Sequence, residues 1–196
     1  MKLARINSLL LVAIIGINLY IVAMPFVPAL TYWAKSHYTD SRKQLQTSLN
    51  RQQPMTNNSQ FVDATGDRLI IPSMLLDTQI FEGKYQSTLS KGLWRLPTSG
   101  NPSQGGNTVI IGHRFTYTNP EGVFYNLNLV KTGDEIGIIW SGKKYLYYVT
   151  DVEIVSPNDV AVQLQTTKPQ LTLYTCTPLW WPKNRLVVIA KPEVNI

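Results

Sequence analysis

Between Arg5 and Lys35 the chain carries no charge, a stretch running from Ile6 to Ala34. A helix crossing the hydrocarbon of a bilayer needs about 20 apolar residues, and this run, through Leu9-Leu10-Leu11-Val12-Ala13-Ile14-Ile15 and on to Val27, is long enough. Asn18 is a minor interruption. Pro25 and Pro28 lie near the far end, where a kink or a helix end is tolerated. Lys2 and Arg5 flank the near side, so the positive-inside rule places the N-terminus in the cytoplasm. Lys35, Arg42 and Lys43 on the other side soften that bias. A cleaved signal peptide is the competing reading, but no small-x-small site follows the run. The expected organisation is a cytoplasmic N-terminus (residues 1–5), a single membrane-spanning anchor (6–34), an extracytoplasmic stalk (35–64) and a folded domain (65–196) outside the cell membrane.

Charge elsewhere narrows the function. The formal net charge is +6, yet residues 1–60 hold six Lys and Arg against one Asp, while the remainder holds twelve against eleven acidic residues. The domain is therefore nearly neutral, and the basic stripe of a nucleic-acid binder is missing. No nucleic-acid partner is expected. There is one cysteine, Cys176, and two histidines, His37 and His113. An intrachain disulfide is impossible, and no Cys/His cluster offers a zinc site. The stalk is rich in Gln and Asn (Gln44, Gln46, Gln52, Gln53, Asn57, Asn58) and reads as a helical stub followed by a spacer.

From residue 65 onward the pattern is of strands. Arg68 to Ile71, Met74 to Ile80, Gly92 to Arg95, Thr108 to Ile111, Glu135 to Trp140, Lys144 to Ile154, Leu171 to Cys176 and Arg185 to Lys191 are short runs rich in β-branched and aromatic residues. Ser141-Gly142 between two of them predicts a hairpin. One short helix is expected near Val123 to Leu129. The class is all-β, a barrel or a sandwich.

A lone cysteine is more often a buried hydrophobe than a nucleophile. Cys176, however, ends a predicted strand and is followed by Thr177-Pro178, which places it where side chains meet solvent. A cysteine nucleophile needs a proton carrier, and His is the usual one. His113 follows the run Thr108 to Ile111 and Gly112, at a second strand end, whereas His37 lies in the stalk. Arg185 opens the last strand. If the loop 177–184 joins antiparallel neighbours, Arg185 lies at the same end of the sheet as Cys176. A fixed guanidinium there could hold a substrate carbonyl or a developing oxyanion.

Thr172-Leu173-Tyr174-Thr175-Cys176 with Arg185 downstream resembles the signature TLxTC and following arginine of the sortase family. Asn107 to Arg114 resembles the family's histidine segment, in which a glycine precedes the catalytic His. Ile71-Pro72 and Gly92-Leu93-Trp94-Arg95-Leu96-Pro97 resemble its early strands. The resemblance covers roughly residues 65–191 and implies a closed eight-stranded β-barrel with short helices. It implies a catalytic trio of Cys176, His113 and Arg185, a thioester acyl-enzyme and no cofactor. It also implies two partners: surface proteins with an LPxTG-like C-terminal sorting signal, and an acceptor amine from a peptidoglycan precursor or a pilin lysine. Thr175 resembles a position that helps line the substrate groove. Residues 35–66 lack the Asp-Pro-aromatic lid of the pilin-polymerising subgroup, so a class D- or E-like housekeeping enzyme is expected. The segment Ser156 to Gln170 offers only Asp159, so no calcium site is expected.

Leu179-Trp180-Trp181-Pro182 occupies the loop between the cysteine and the arginine. Trp180 and Trp181 are candidates for substrate binding or for contact with lipid headgroups, and packing onto the barrel is the plainer alternative. Two other cysteine-enzyme classes fit poorly. An L,D-transpeptidase carries S-x-G-C with an arginine close behind, and a papain-like protease puts its cysteine early in the domain. The non-enzymatic alternative is a membrane-tethered adhesin or scaffold with an inert Cys176.

Overall fold

The computed structural model describes residues 2–37, 40–50, 66–117 and 123–192. The expected spacer at 51–65 lies outside the described residues. Helix α1 (Lys2–Ala23) leads through a 3-10 turn (Met24–Phe26) into α2 (Val27–His37), and α3 (Asp40–Asn50) follows. Pro25 and Pro28 explain the break at Ala23. Proline lacks the N–H an α-helix interior needs, but it fits the first turn of a new segment. Arg5–Ser36 is nevertheless one apolar helical stretch of 32 residues, long enough to cross a bilayer, with its outer surface almost wholly exposed.

Eight strands follow: β1 (Arg68–Ile71), β2 (Leu76–Glu82), β3 (Leu93–Arg95), β4 (Asn107–Ile111), β5 (Glu135–Trp140), β6 (Lys143–Val155), β7 (Gln170–Thr177) and β8 (Asn184–Pro192). They close into a barrel in the order β1-β2-β3-β4-β7-β8-β6-β5. The sequence pattern therefore resolves to a barrel rather than a sandwich. The β5–β6 hairpin turns on Ser141 and Gly142, both with positive φ (48° and 75°). That pairing is what a two-residue turn matching strand twist requires. The helix expected near Val123 to Leu129 is a single 3-10 turn, Leu127–Leu129.

Alternation along each strand fills the barrel. Leu69 and Ile71, Ile136 and Ile138, and Leu171 and Leu173 are fully buried inside, joined by Leu93, Ile110, Phe124 and Val188. Residues between them point outward, and part of that outer face is covered too. Asn107, itself buried, donates to Val162 O and Leu164 O (3.1 and 3.0 Å) and accepts from Thr172 Oγ1 (2.8 Å). With its polar atoms satisfied, it pins the β6–β7 connection over the outer side of β4 and β7.

The segment read as a spacer does more than separate the barrel from the membrane. Leu49 of α3 is 2% exposed. It sits on the outer face of β5, where Gly137 leaves room; a Cβ at 137 would lie 2.2 Å from Leu49 Cδ2. Lys144 Nζ donates to Leu49 O, and Arg42 Nη2 reaches both Tyr32 Oη (3.2 Å) and Ser73 O (3.5 Å). Burying one leucine contributes roughly 1.5–3 kcal/mol, enough to dock an otherwise polar helix.

Candidate active site

Strands β4 and β7 are parallel, with Ile111 opposite Tyr174. The pairing continues one residue further, because Gly112 N donates to Tyr174 O (3.2 Å). Two residues past that register pair come His113, just beyond the end of β4, and Cys176, still within β7. Across the antiparallel β7–β8 ladder Cys176 is paired with Arg185. Neighbouring strands are about 4.8 Å apart. The three residues therefore make a row in register: Cys176 and Arg185 on paired strands, and His113 two residues beyond the end of the strand on the other side of β7. Cys176 faces outward: Leu171 and Leu173 of β7 point into the barrel, so Cys176, an odd number of residues away, does not. His113 is exposed, and Cys176 and Arg185 are half-buried.

Each member is held by its surroundings. Gly112 is wedged between fully buried side chains; a Cβ there would meet Phe124 Cδ2 at 2.7 Å and Leu93 Cδ2 at 2.8 Å. Its carbonyl accepts the Thr175 hydroxyl (2.8 Å). On the other side, Phe124 N donates to His113 O (3.0 Å). Thr175 was expected to line the groove. It is 1% exposed instead, and its hydroxyl braces the backbone that carries His113.

Arg185 leans along β8 toward the diagonal neighbour Tyr174. Its Nε donates to Tyr174 Oη (3.2 Å), its guanidinium lies 5.9 Å from that ring's centroid, and Nη1 donates to Asn184 O (3.1 Å). Two of five donors are thus used for positioning, on a backbone that pairs directly with Cys176. Trp180 and Trp181 stand outside this row in the β7–β8 loop, 54% and 69% exposed.

Sequence reasoning assigned no role to Arg114, and the fold gives it one. Next to His113 in the chain, it donates from Nη1 to Thr177 Oγ1 (2.7 Å), from Nη2 to Asn128 Oδ1 (3.0 Å) and from Nε to Tyr125 O (3.4 Å). Burial lowers its pKa from the ordinary arginine value, while Tyr125 and the Cys176 thiol act in the opposite sense. Arginine stays charged at neutral pH even so, so a second cation lies within electrostatic reach of Cys176. Burial likewise raises the Tyr125 phenol, with Arg114 opposing. The signal for Arg114 was its place beside His113; its partners are up to 63 positions away in sequence. Among the described residues, no group of three or more His, Cys, Asp or Glu could hold a metal ion.

A closed eight-stranded barrel with cysteine, histidine and arginine on three adjacent strand ends defines a class, and the chain belongs to it: the sortase-domain family model matches residues 69–193, so this is a member of the sortase family. The chain is similar to sortase D of Bacillus subtilis (strain 168), with 30% identity over 132 residues covering 65% of this chain and 64% of that protein. It thus spans a little under two thirds of that relative's length. Among solved structures it is similar to a sortase D5 transpeptidase of Clostridium perfringens, with a TM-score of 0.58 and 29% identity over 65% of this chain and 78% of that one. Sortase C-1 of Actinomyces oris superposes with a TM-score of 0.60 at 26% identity, over 80% of this chain and 85% of that one.

Proposed function

We propose that this sortase is a membrane-anchored cysteine transpeptidase that cuts an LPxTG-like sorting signal and passes the acyl group to an amine. The observation that supports the reading is the cross-strand pairing of Cys176 with Arg185, beside the parallel strand β4 that leads two residues on to His113. The Cys176 thiolate attacks the carbonyl carbon after the threonine of the signal. Negative charge moves to the carbonyl oxygen, where donors of Arg185 stabilise it. Collapse breaks the peptide bond, and the leaving amine takes a proton from the His113 imidazolium. The product is a thioester on Cys176. An incoming amine gives its proton to His113, attacks the thioester and releases the thiolate. Chemistry therefore needs neither a metal nor a cofactor in this scheme. The partners are surface proteins bearing a sorting signal, and an amine of a peptidoglycan precursor or a pilin lysine.

The apolar helix supports a single-pass anchor in the cell membrane, with Lys2 and Arg5 on the cytoplasmic side and the barrel outside. Similarity to D-type relatives supports a housekeeping role of the D or E kind.

The test uses the full chain in detergent or vesicles, a panel of fluorescent LPxTG and LAxTG peptides, and an added amine. Cleavage coupled to amine transfer and lost in Cys176→Ala is the expected result. No cleavage together with an alkylation-resistant Cys176 would sink the enzymatic reading and favour a tethered scaffold.

A further inference from the structure

The two loops that frame the site also touch the end of the apolar helix. One begins at His113 and reaches β5; the other begins after Cys176 and reaches β8. From the first, Tyr125 Oη donates to Pro25 O (2.8 Å), and Tyr117 O accepts from Tyr20 Oη (3.4 Å). From the second, the Trp180 ring lies 5.8 Å from that of Phe26, tilted by 53°. Tyr20, Pro25 and Phe26 lie 14 to 20 residues into the apolar run counted from Ile6. Counted from Ile6, about 20 residues at 1.5 Å each span a hydrocarbon core of about 30 Å and end at this level. The loops therefore meet the helix where it would leave the hydrocarbon.

What they present there is aromatic and uncovered. Trp180 is 54% exposed, Trp181 69%, Tyr117 47% and Phe26 54%. Exposed Lys183 adjoins them, and residues 177–184 contain no acidic side chain. Amphipathic rings with a neighbouring cation suit the headgroup layer of a bilayer, where Trp and Tyr concentrate and Lys meets anionic lipid. A peptide-binding wall accounts for exposed tryptophans but not for the contact of Trp180 with Phe26 of the apolar helix.

We propose that Tyr117, Trp180 and Trp181 rest in the outer headgroup layer of the membrane, so that the chain grips the bilayer through its loops as well as its helix and holds the Cys176 end of the barrel at the membrane surface. The inference rests on the reading of Arg5–Ser36 as a membrane anchor.

The test is lipid quenching of tryptophan emission. The full chain carrying Trp33→Phe is placed in phosphatidylcholine–phosphatidylglycerol vesicles with acyl chains brominated near the headgroup. Trp33→Phe removes a helix-end indole that would report on the anchor alone. Trp94 and Trp140, each 6% exposed within the barrel wall, serve as the unquenched internal reference. Emission is expected to be quenched, and Trp180→Phe with Trp181→Phe is expected to abolish most of that quenching. A chain that floats with the vesicles yet shows no quenching, or the same quenching after both substitutions, overturns the loop contact and leaves the anchor standing. A chain that does not float with the vesicles overturns both. Protection of the two tryptophans from an aqueous quencher by a sorting peptide, without lipid quenching, would instead make them a substrate wall. None of these readings depends on whether the peptide is cleaved.

Discussion

Cys176 and Arg185 are direct partners across the β7–β8 ladder, and Arg185 is tethered through Nε to Tyr174 Oη, two residues before the cysteine on the same face. The arginine is thus positioned by the strand that carries Cys176. Arg185→Ala is expected to lower kcat/KM for a sorting peptide by about 10²–10³, the usual cost of losing an oxyanion donor. Alkylation of Cys176 by a small reagent should stay near the wild-type rate. Arg185→Lys should recover only part, because an ammonium cannot reproduce the oriented fork. Wild-type kcat/KM in Arg185→Ala would remove it from the trio.

Arg114 clamps Thr177, Asn128 and the Tyr125 carbonyl, and so ties the end of β7 to the loop after His113. Charge-assisted bonds of this kind contribute about 1.5–3 kcal/mol each. Arg114→Ala is expected to reduce kcat/KM on the order of ten- to a hundredfold. It should also lower the melting temperature, because the loop after His113 is no longer tied to the end of β7. Calorimetry and peptide cleavage on one preparation check both: wild-type turnover with an unshifted transition would leave Arg114 without a role at the site.

Gly112 has no space for a methyl group. The buried Phe124 and Leu93 side chains would lie 2.7 and 2.8 Å from a new Cβ. Gly112→Ala is expected to cost about 1–3 kcal/mol by overpacking, which corresponds to a fall in melting temperature of roughly 3–10 °C. Turnover should drop as well, since His113 is the next residue. Calorimetry and peptide cleavage on the same preparation check both; an unshifted transition would mean that the core relaxes freely around position 112.

Tyr147 sits in the core at 2% exposure, and burial, with Tyr145 adding to it, pushes its phenol up to about 12 from the ordinary 10. Above pH 10 the unfolded chain loses this proton while the folded chain keeps it. Proton linkage then makes stability fall as pH rises from 10 to 12, and the contribution is fully present below pH 10. A two-unit shift is worth roughly 2–3 kcal/mol. Tyr147→Phe should flatten this part of the stability-against-pH curve in denaturant titrations between pH 9 and 12. An identical slope in both proteins would show that other groups set the alkaline limit.

Local chemistry made much of this molecule legible from its residues. The run from Ile6 to Ala34 carries no charged side chain and few polar ones, and it forms a helical stretch long enough to span a bilayer. Each β-branched run became a strand within a few residues of its expected ends, and Ser141-Gly142 became the hairpin because a positive φ at both turn positions is a local demand. Leu45 and Leu49, four apart in an otherwise polar helix, carried a faint sign that α3 docks.

Cys176 and His113 could be picked out as strand-end residues, but their adjacency could not. Residue types and their periodicity are properties of short segments, whereas the parallel register of β4 with β7 exists only once the barrel closes and the β6–β7 connection is pinned by Asn107. The same closure turned Thr175 from an expected groove residue into a buried brace, and gave Arg114 partners that lie far from it in sequence. The sequence by itself determined which groups are available for chemistry and that one end of the chain is apolar. Tertiary structure alone decided which groups meet, because contacts between distant segments depend on strand pairing and core packing that no local preference encodes.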